Sequence, residues 1–349
     1  MQRIIFLNLS KNRFSRTKAF YSALAKNYPK SVIWIEIENF KDLIKKIYTL
    51  KLNRYEDKIV VTSRSQILVL YCLSLMKRVY LDAGLSLTEG TRARKPQLKF
   101  YHIQICRAYL VDLLSFHLSK VAIFETHEQI AKISKYYFVK KRKLKWIYIG
   151  CDEFRFEQIN QKKLVASSES KNQDVFHILF RGGNQIESGI SVMLKAAQLL
   201  KNNSKIKFTL ITNKLEINRE NYRNIDFLIG YVSDSTIANR YRNAHVVLGQ
   251  LTLHNRLNYA IPHKFFEAAF FAKPYLTSKH GILLPLIEQG IVAGFEGNSS
   301  SNLAENLIFL SKNQDQLNKL AVNLKHWYEK NSTQKILTAQ FFQYIDIKI

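Results

Sequence analysis

Acidic residues are scarce in this chain: 27 Asp and Glu stand against 53 Lys and Arg in 349 residues, a formal net charge of +26. A surface so poor in carboxylates seeks polyanions. Cysteine is almost missing as well. Cys72, Cys106 and Cys151, an odd number with no Cys-x-x-Cys pair, exclude a disulfide framework and a zinc site. No apolar run reaches the roughly 18 residues of a spanning helix. The opening residues Met1 to Phe6 read as a first strand with no small-residue cleavage site after it, so no signal peptide is expected and the reading is a cytosolic protein.

The cations leave three partners open: nucleic acid, an anionic bilayer or a phosphorylated substrate. No zinc pattern, aromatic RNA-binding motif or helix-turn-helix signature accompanies them, so specific nucleic-acid binding is not expected. The densest run, Lys140, Lys141, Arg142 and Lys143, follows Tyr136, Tyr137 and Phe138 and is closed by Trp146. Each cation near an anionic leaflet contributes about 1 kcal/mol, enough together for reversible docking of a peripheral protein. A general bias toward lysine accounts for the same run equally simply.

Short apolar runs near residues 4–7, 31–35, 58–62, 78–81, 121–124 and 145–149 alternate with helical spacing, and a long apolar helix over 98–118 reads as largely buried. Residues 157–174 turn polar and aperiodic, which suits a linker. The alternation restarts at Val175 and runs to about residue 332. Parallel sheets covered by helices follow, in two domains of ordinary size. The expected architecture is α/β, with two Rossmann-like domains facing across a cleft: 1–160 for an acceptor, a linker over 161–174, 175–332 for a nucleotide sugar, and 333–349 as a helix returning to the first domain. Ligands of open parallel sheets sit at the carboxyl ends of the strands.

Pro262-His263-Lys264-Phe265-Phe266-Glu267-Ala268-Ala269, followed by Lys273-Pro274, reads as a loop, a helix and a restarted strand. Lys264 and Glu267 share a face. A helix N-terminus with a lysine in its first turn attracts diphosphate, and a carboxylate one turn deeper can accept from ribose hydroxyls. An amphipathic helix with solvated Lys and Glu is the plain alternative.

Four segments in the same order resemble family 4 glycosyltransferases of the GT-B fold: residues 149–156 their NGVDxxxF turn, Phe180-Arg181-Gly182-Gly183 with Gly189 the start of their second domain, residues 227–233 a strand end, and Pro262 to Glu267 their PxKxFE element. The resemblance implies a retaining transferase that moves a sugar from a nucleotide-diphosphate sugar to a lipid-linked or polysaccharide acceptor of the cell envelope. It implies Arg181 and Lys264 as cations on the leaving diphosphate and Glu267 on the ribose. Gly182 and Gly183 allow close backbone approach, and Gly230, Tyr231 and Val232 face the base. No cofactor is implied, and the absence of an Asp-x-Asp pair fits a metal-independent reaction. Some positions depart from the pattern. Ser188 replaces a lysine and Tyr259 an expected acid, and a histidine is missing around Ala83. Arg256 is a substitute cation, and in the first domain either Asp82 or Thr126-His127 lines the acceptor side, with His127 the catalytic candidate. A non-catalytic protein that binds a sugar nucleotide or glycan is the competing reading.

Overall fold

A computed structural model of the protein describes residues 3–10, 15–51, 56–73, 79–163, 175–183 and 185–347. It divides into two compact units, Met1–Asp152 with Gln334–Ile349, and Glu153–Thr333. The linker expected over 161–174 lies almost wholly outside the described residues.

The first unit alternates β1 (Ile4–Leu9), α1 (Ser15–Asn27), β2 (Val32–Ile37), α2 (Phe40–Thr49), β3 (Lys58–Val61), α3 (Ile67–Tyr71), β4 (Val79–Gly84), α4 (Leu87–Arg94), α5 (Ile103–Leu118), β5 (Ala122–Phe124), α6 (His127–Tyr137) and β6 (Leu144–Trp146). Its six strands are all parallel, in the order β2-β1-β3-β4-β5-β6. The strands are continuous apolar runs because helices cover both faces of the sheet. Ile5, Leu7, Val61, Leu81 and Phe124 point to one core, and Ile4, Phe6, Val60, Tyr80 and Ile123 to the other. Helix starts are locally specified: Asn39 caps α2 through Asp42 N at 3.0 Å, and Thr126 with Gln129 forms a capping box on α6.

The second unit opens with α7 (Glu153–Lys163) and continues through β7 (Phe176–Arg181), α8 (Ile190–Leu199), β8 (Ile206–Thr212), β9 (Ile225–Ile229), α9 (Asp234–Asn243), β10 (Val246–Leu248), α10 (His263–Phe270), β11 (Tyr275–Ser278), α11 (Leu284–Glu288), β12 (Ala293–Phe295), α12 (Ser300–Lys312) and α13 (Gln314–Asn331). The sheet order is β12-β11-β10-β7-β8-β9, again all parallel. The last helix, α14 (Gln334–Tyr344), belongs to the first unit. There Phe341 stacks on Phe6 at 5.9 Å and Phe342 meets Tyr28 at 5.2 Å, while Asp346 accepts from Tyr80 Oη at 3.0 Å.

Three differences from the sequence expectation have clear causes. The boundary falls before Glu153, earlier than the change in composition. Phe156 sits against Phe270 and Phe271, Arg155 pairs with Asp234, and Tyr328 Oη donates to Glu153 at 2.6 Å. Helix α5 starts at Ile103 and buries one face only, because its neighbours α3, α4 and α6 all lie on that side. Asp82, expected to line an acceptor site, is buried and takes Arg16 Nε at 2.8 Å. Arg16 Nη1 also donates to Ile147 O at 2.5 Å, so the pair pins α1 to the sheet. Removing one partner of a buried pair strands the other charge. Arg16→Met is therefore expected to lower the unfolding free energy by about 3–5 kcal/mol in urea titration, and a loss below about 1 kcal/mol would contradict this assignment.

Candidate functional site

In the second unit, the chain steps outward from β7 through β8 to β9 on one side and from β10 through β11 to β12 on the other. Strands β7 and β10 therefore flank the point where the strand order reverses, and the crevice of an open parallel sheet lies beyond their carboxyl ends. Arg181 is the last residue of β7, with Gly182 and Gly183 in the turn after it. Gly249 follows β10 directly, and a Cβ there would come within 2.7 Å of Thr277 and Tyr275, so only glycine lets the chain leave β10 this close to β11.

Helix α10 brings the other charges to this edge. Glu267, one turn inside the helix, is 1% exposed and is bonded through both oxygens to Arg181 Nη1. Tyr241 Oη on α9 donates to Glu267 Oε2 at 2.6 Å, and His263 Nδ1 lies 3.3 Å from Oε1. Burial alone would push the Glu267 carboxyl up. The Arg181 guanidinium and then His263 outweigh it and hold the carboxyl well below the usual range. In return Glu267 raises Arg181, which keeps 27% of its side chain exposed. Tyr241 is pushed far up, first by burial and then by the Glu267 charge. The group is a buried carboxylate that anchors a partly open guanidinium.

Lys264 lies beside this group and is buried. Its ammonium donates to Gly249 O at 2.5 Å and stands 4.1 Å from the centroid of the Phe180 ring. Burial and the neighbouring Arg181 charge push it down to about 7, against a smaller upward pull from Glu267. Arg181, Lys264 and Glu267 thus come together as the sequence places them. Their contacts differ from the expected roles, because Glu267 holds Arg181 and its oxygens already have protein donors.

The remaining candidates are more scattered. Arg256 Nη1 pairs with the buried Glu187 at 2.7 Å, so it does reach the turn where Ser188 replaces a lysine, but a carboxylate offsets its charge. Gly230 (φ +92°), Tyr231 and Val232 follow β9 at the sheet edge, and Tyr231 is almost fully exposed. His127 begins α6 in the first unit, exposed and edge-on to Trp146 at 6.4 Å. Near the start of α10, a cavity of about 10 Å3, lined by Gln250, Pro262, Thr277, Ser278, His280 and Leu283, has room for about one water. Gln250 Oε1 and His280 Nε2 are buried there without a hydrogen-bond partner among the described residues. Among those residues no group of three or more His, Cys, Asp or Glu is placed to hold a metal ion.

Tyr241 escaped the sequence reading, and His263 and Phe180 stood in its motifs without a role. His263 carried a usable signal, since it precedes Glu267 by one helical turn. Tyr241 and Phe180 are brought in only by the tertiary fold.

No protein-family profile and no curated relative matches the sequence. Solved structures do. HepE from Anabaena, determined with UDP and glucose, matches with a TM-score of 0.68 at 12% identity, over 99% of this chain and all of that one (100%). Sucrose-phosphate synthase from Thermosynechococcus elongatus gives 0.68 at 12% identity over 98% of each chain. WaaG, a glycosyltransferase involved in lipopolysaccharide biosynthesis, gives 0.65 at 11% identity over 98% of this chain and 99% of that one. At these identities the likeness establishes the GT-B fold.

The buried lysine makes stability depend on pH in a defined direction. Its folded pKa of about 7 lies below the ordinary 10.5, so between those values the unfolded chain binds more protons and the folded state gains stability as pH rises. Relative to Lys264→Met, the wild type is expected to become steadily more stable from pH 7 to pH 9 in urea unfolding. Parallel curves for the two proteins would contradict a buried, depressed lysine.

Proposed function

We propose that the protein is a retaining, metal-independent glycosyltransferase that moves a sugar, hexose-like, from a nucleotide-diphosphate sugar to a lipid-linked or polysaccharide acceptor of the cell envelope. The observation that carries this reading is a partly open Arg181, held by Glu267, with a second and buried cation, Lys264, beside it at the N-terminus of α10, where the strand order reverses. Breaking the glycosidic bond puts charge on the leaving diphosphate, and fixed cations with oriented N–H groups stabilise it at the moment it grows. Arg181 presents its fork to phosphate oxygens. Lys264 adds a charge that is half formed near neutrality and is completed when an anion arrives. Gly182 and Gly183 give the diphosphate access to the backbone. Gly230, Tyr231 and Val232 take the base, and Arg256 assists from the 255–258 turn.

Glu267 fits a different role from a ribose ligand. With 1% of its side chain exposed and three protein donors in place, it acts as the positioning residue for Arg181. His127 is the candidate on the acceptor side, in the first unit. UDP and glucose in HepE, and the lipopolysaccharide role of WaaG, support the donor class and an envelope acceptor. On this reading the protein works in the cytoplasm, peripheral to the inner face of the membrane. No helix among the described residues is long and apolar enough to cross a membrane. Docking is assigned to Lys140, Lys141 and Arg142, which are exposed, with Lys143 half-buried beside them.

A non-catalytic sugar-nucleotide or glycan binder is the second reading, favoured by Ser188 and by the neutralisation of Arg256 by Glu187. A panel of UDP- and GDP-sugars separates the two. The transferase reading expects turnover or hydrolysis of at least one donor, reduced about 100- to 1000-fold in kcat by Arg181→Ala. Donor binding without any turnover would favour the binder, and no binding at all would remove both.

A further inference from the structure

We infer that the outer face of α5, with the aromatic turn before it, is a surface that inserts shallowly into an anionic lipid bilayer. This adds an apolar element to the membrane-facing role proposed for the basic turn at 140–143, and it rests on different residues.

Ile105, Ala108, Asp112, Ser115 and Phe116 face inward along α5. Ile103, Arg107, Leu110 and Leu114 are spaced to share the opposite face. Ile103 is 78% and Leu110 53% exposed, in a stripe about 17 Å long at the rise of an α-helix. Immediately before it, Phe100 is 75% exposed and its ring meets Tyr101 at 5.3 Å, with the Lys99 ammonium 5.7 Å from the Tyr101 ring centroid. The far end of the stripe joins the basic turn. Lys143 Nζ donates to His117 O at 2.5 Å, and Tyr109 Oη donates to Tyr136 O at 3.0 Å. Phe138, at the end of α6, is 79% exposed. A ridge this apolar on a free surface marks a site of contact.

Charge selects the occupant. Residues 92–118 contain the cations Arg92, Arg94, Lys95, Lys99 and Arg107 and a single acid, Asp112. That acid is buried and accepts from the Leu87 and Thr88 N–H groups at the start of α4. Residues 135–145 add six cations and no acid. A second copy of the chain would set like charges against each other. Nucleic acid could stack on Phe100 and Tyr101, but it would leave the aliphatic stripe of Ile103, Leu110 and Leu114 uncovered. Acyl chains beneath anionic headgroups match both properties. Helix α5 has 16 residues, short of the roughly 20 needed to span, and carries Arg107 and Asp112, so it lies in the interface. The exposed Phe40, Ile44 and Tyr48 on α2 differ in charge balance, because Glu36, Glu38 and Asp42 offset three of the four lysines Lys41, Lys45, Lys46 and Lys51.

The test is flotation with vesicles of phosphatidylglycerol and phosphatidylcholine in equal parts, against phosphatidylcholine alone. Wild type is expected to float with the anionic vesicles. The double variant Leu110→Glu, Leu114→Glu is expected to lose about tenfold or more in partition, with UDP binding and thermal midpoint unchanged. Ile44→Glu should float like wild type, and Phe100→Trp should show a blue shift of emission on adding anionic vesicles. Failure of wild type to float would remove both the insertion surface and the membrane role of the basic turn. Normal flotation of the double variant, an equal loss in Ile44→Glu, or unshifted emission from bound Phe100→Trp would overturn the insertion surface alone. Loss of a dimer or of an RNA complex in the double variant, in place of vesicle binding, would also overturn it.

Discussion

The buried carboxylate of Glu267 is the constraint around which the second unit is arranged. It sits one turn inside α10 and gathers Arg181 from the end of β7, Tyr241 from α9 and His263 from its own helix. A carboxylate out of water is tolerated only with such donors, and here they come from β7, α9 and α10. The same contacts fix the direction of the Arg181 fork and lower the electrostatic cost of a second cation, Lys264, close by. A cation-bearing strand edge thus follows from satisfying one buried charge, and the proposed diphosphate contact is built on it. The arrangement is tense, since Lys264 is held with one carbonyl and one aromatic face for company and is driven toward its neutral form. Sites that bind highly charged ligands commonly carry strain of this kind, which the ligand relieves.

Much of the fold was legible because parallel strands are buried on both faces and so appear as unbroken apolar runs, as at Ile4 to Leu7 and Val246 to Leu248. Helix α14 belongs to the first unit, and what ties it there, Phe341 on Phe6 and Phe342 on Tyr28, is not encoded in its own spacing. The unit boundary was not legible. Composition marks where the chain becomes polar, whereas the boundary depends on Phe156 finding Phe270 and Phe271, a contact more than 100 residues distant in sequence. The true extent of α5 was hidden for a similar reason, because an apolar helix looks buried until its neighbours are known to lie on one side.

For the site, the residue types at positions 181, 264 and 267 were readable, and their partners were not. Pairing of Arg181 with Glu267 spans 86 residues and turns one expected ligand of the donor, Glu267, into a positioning contact for the other. Arg256 shows the opposite case. Reading it as a replacement for the lysine missing at Ser188 put it in the right turn, but its pairing with Glu187 depends on a side-chain geometry that spacing does not encode. His127 belongs to the first unit and the Gly230 turn follows β9, two strands from β7 in the sheet order, so the proposed chemistry is argued from Arg181 and Lys264 outward.

The most direct measurement is isothermal titration of UDP at pH 8 in two buffers of different ionisation enthalpy. If the diphosphate settles against Arg181 and Lys264, binding must complete the charge on a lysine that is mostly neutral at that pH, and uptake approaching about one proton per UDP is expected, lost in Lys264→Met. UDP binding with no proton uptake, or unchanged uptake in Lys264→Met, would contradict the account.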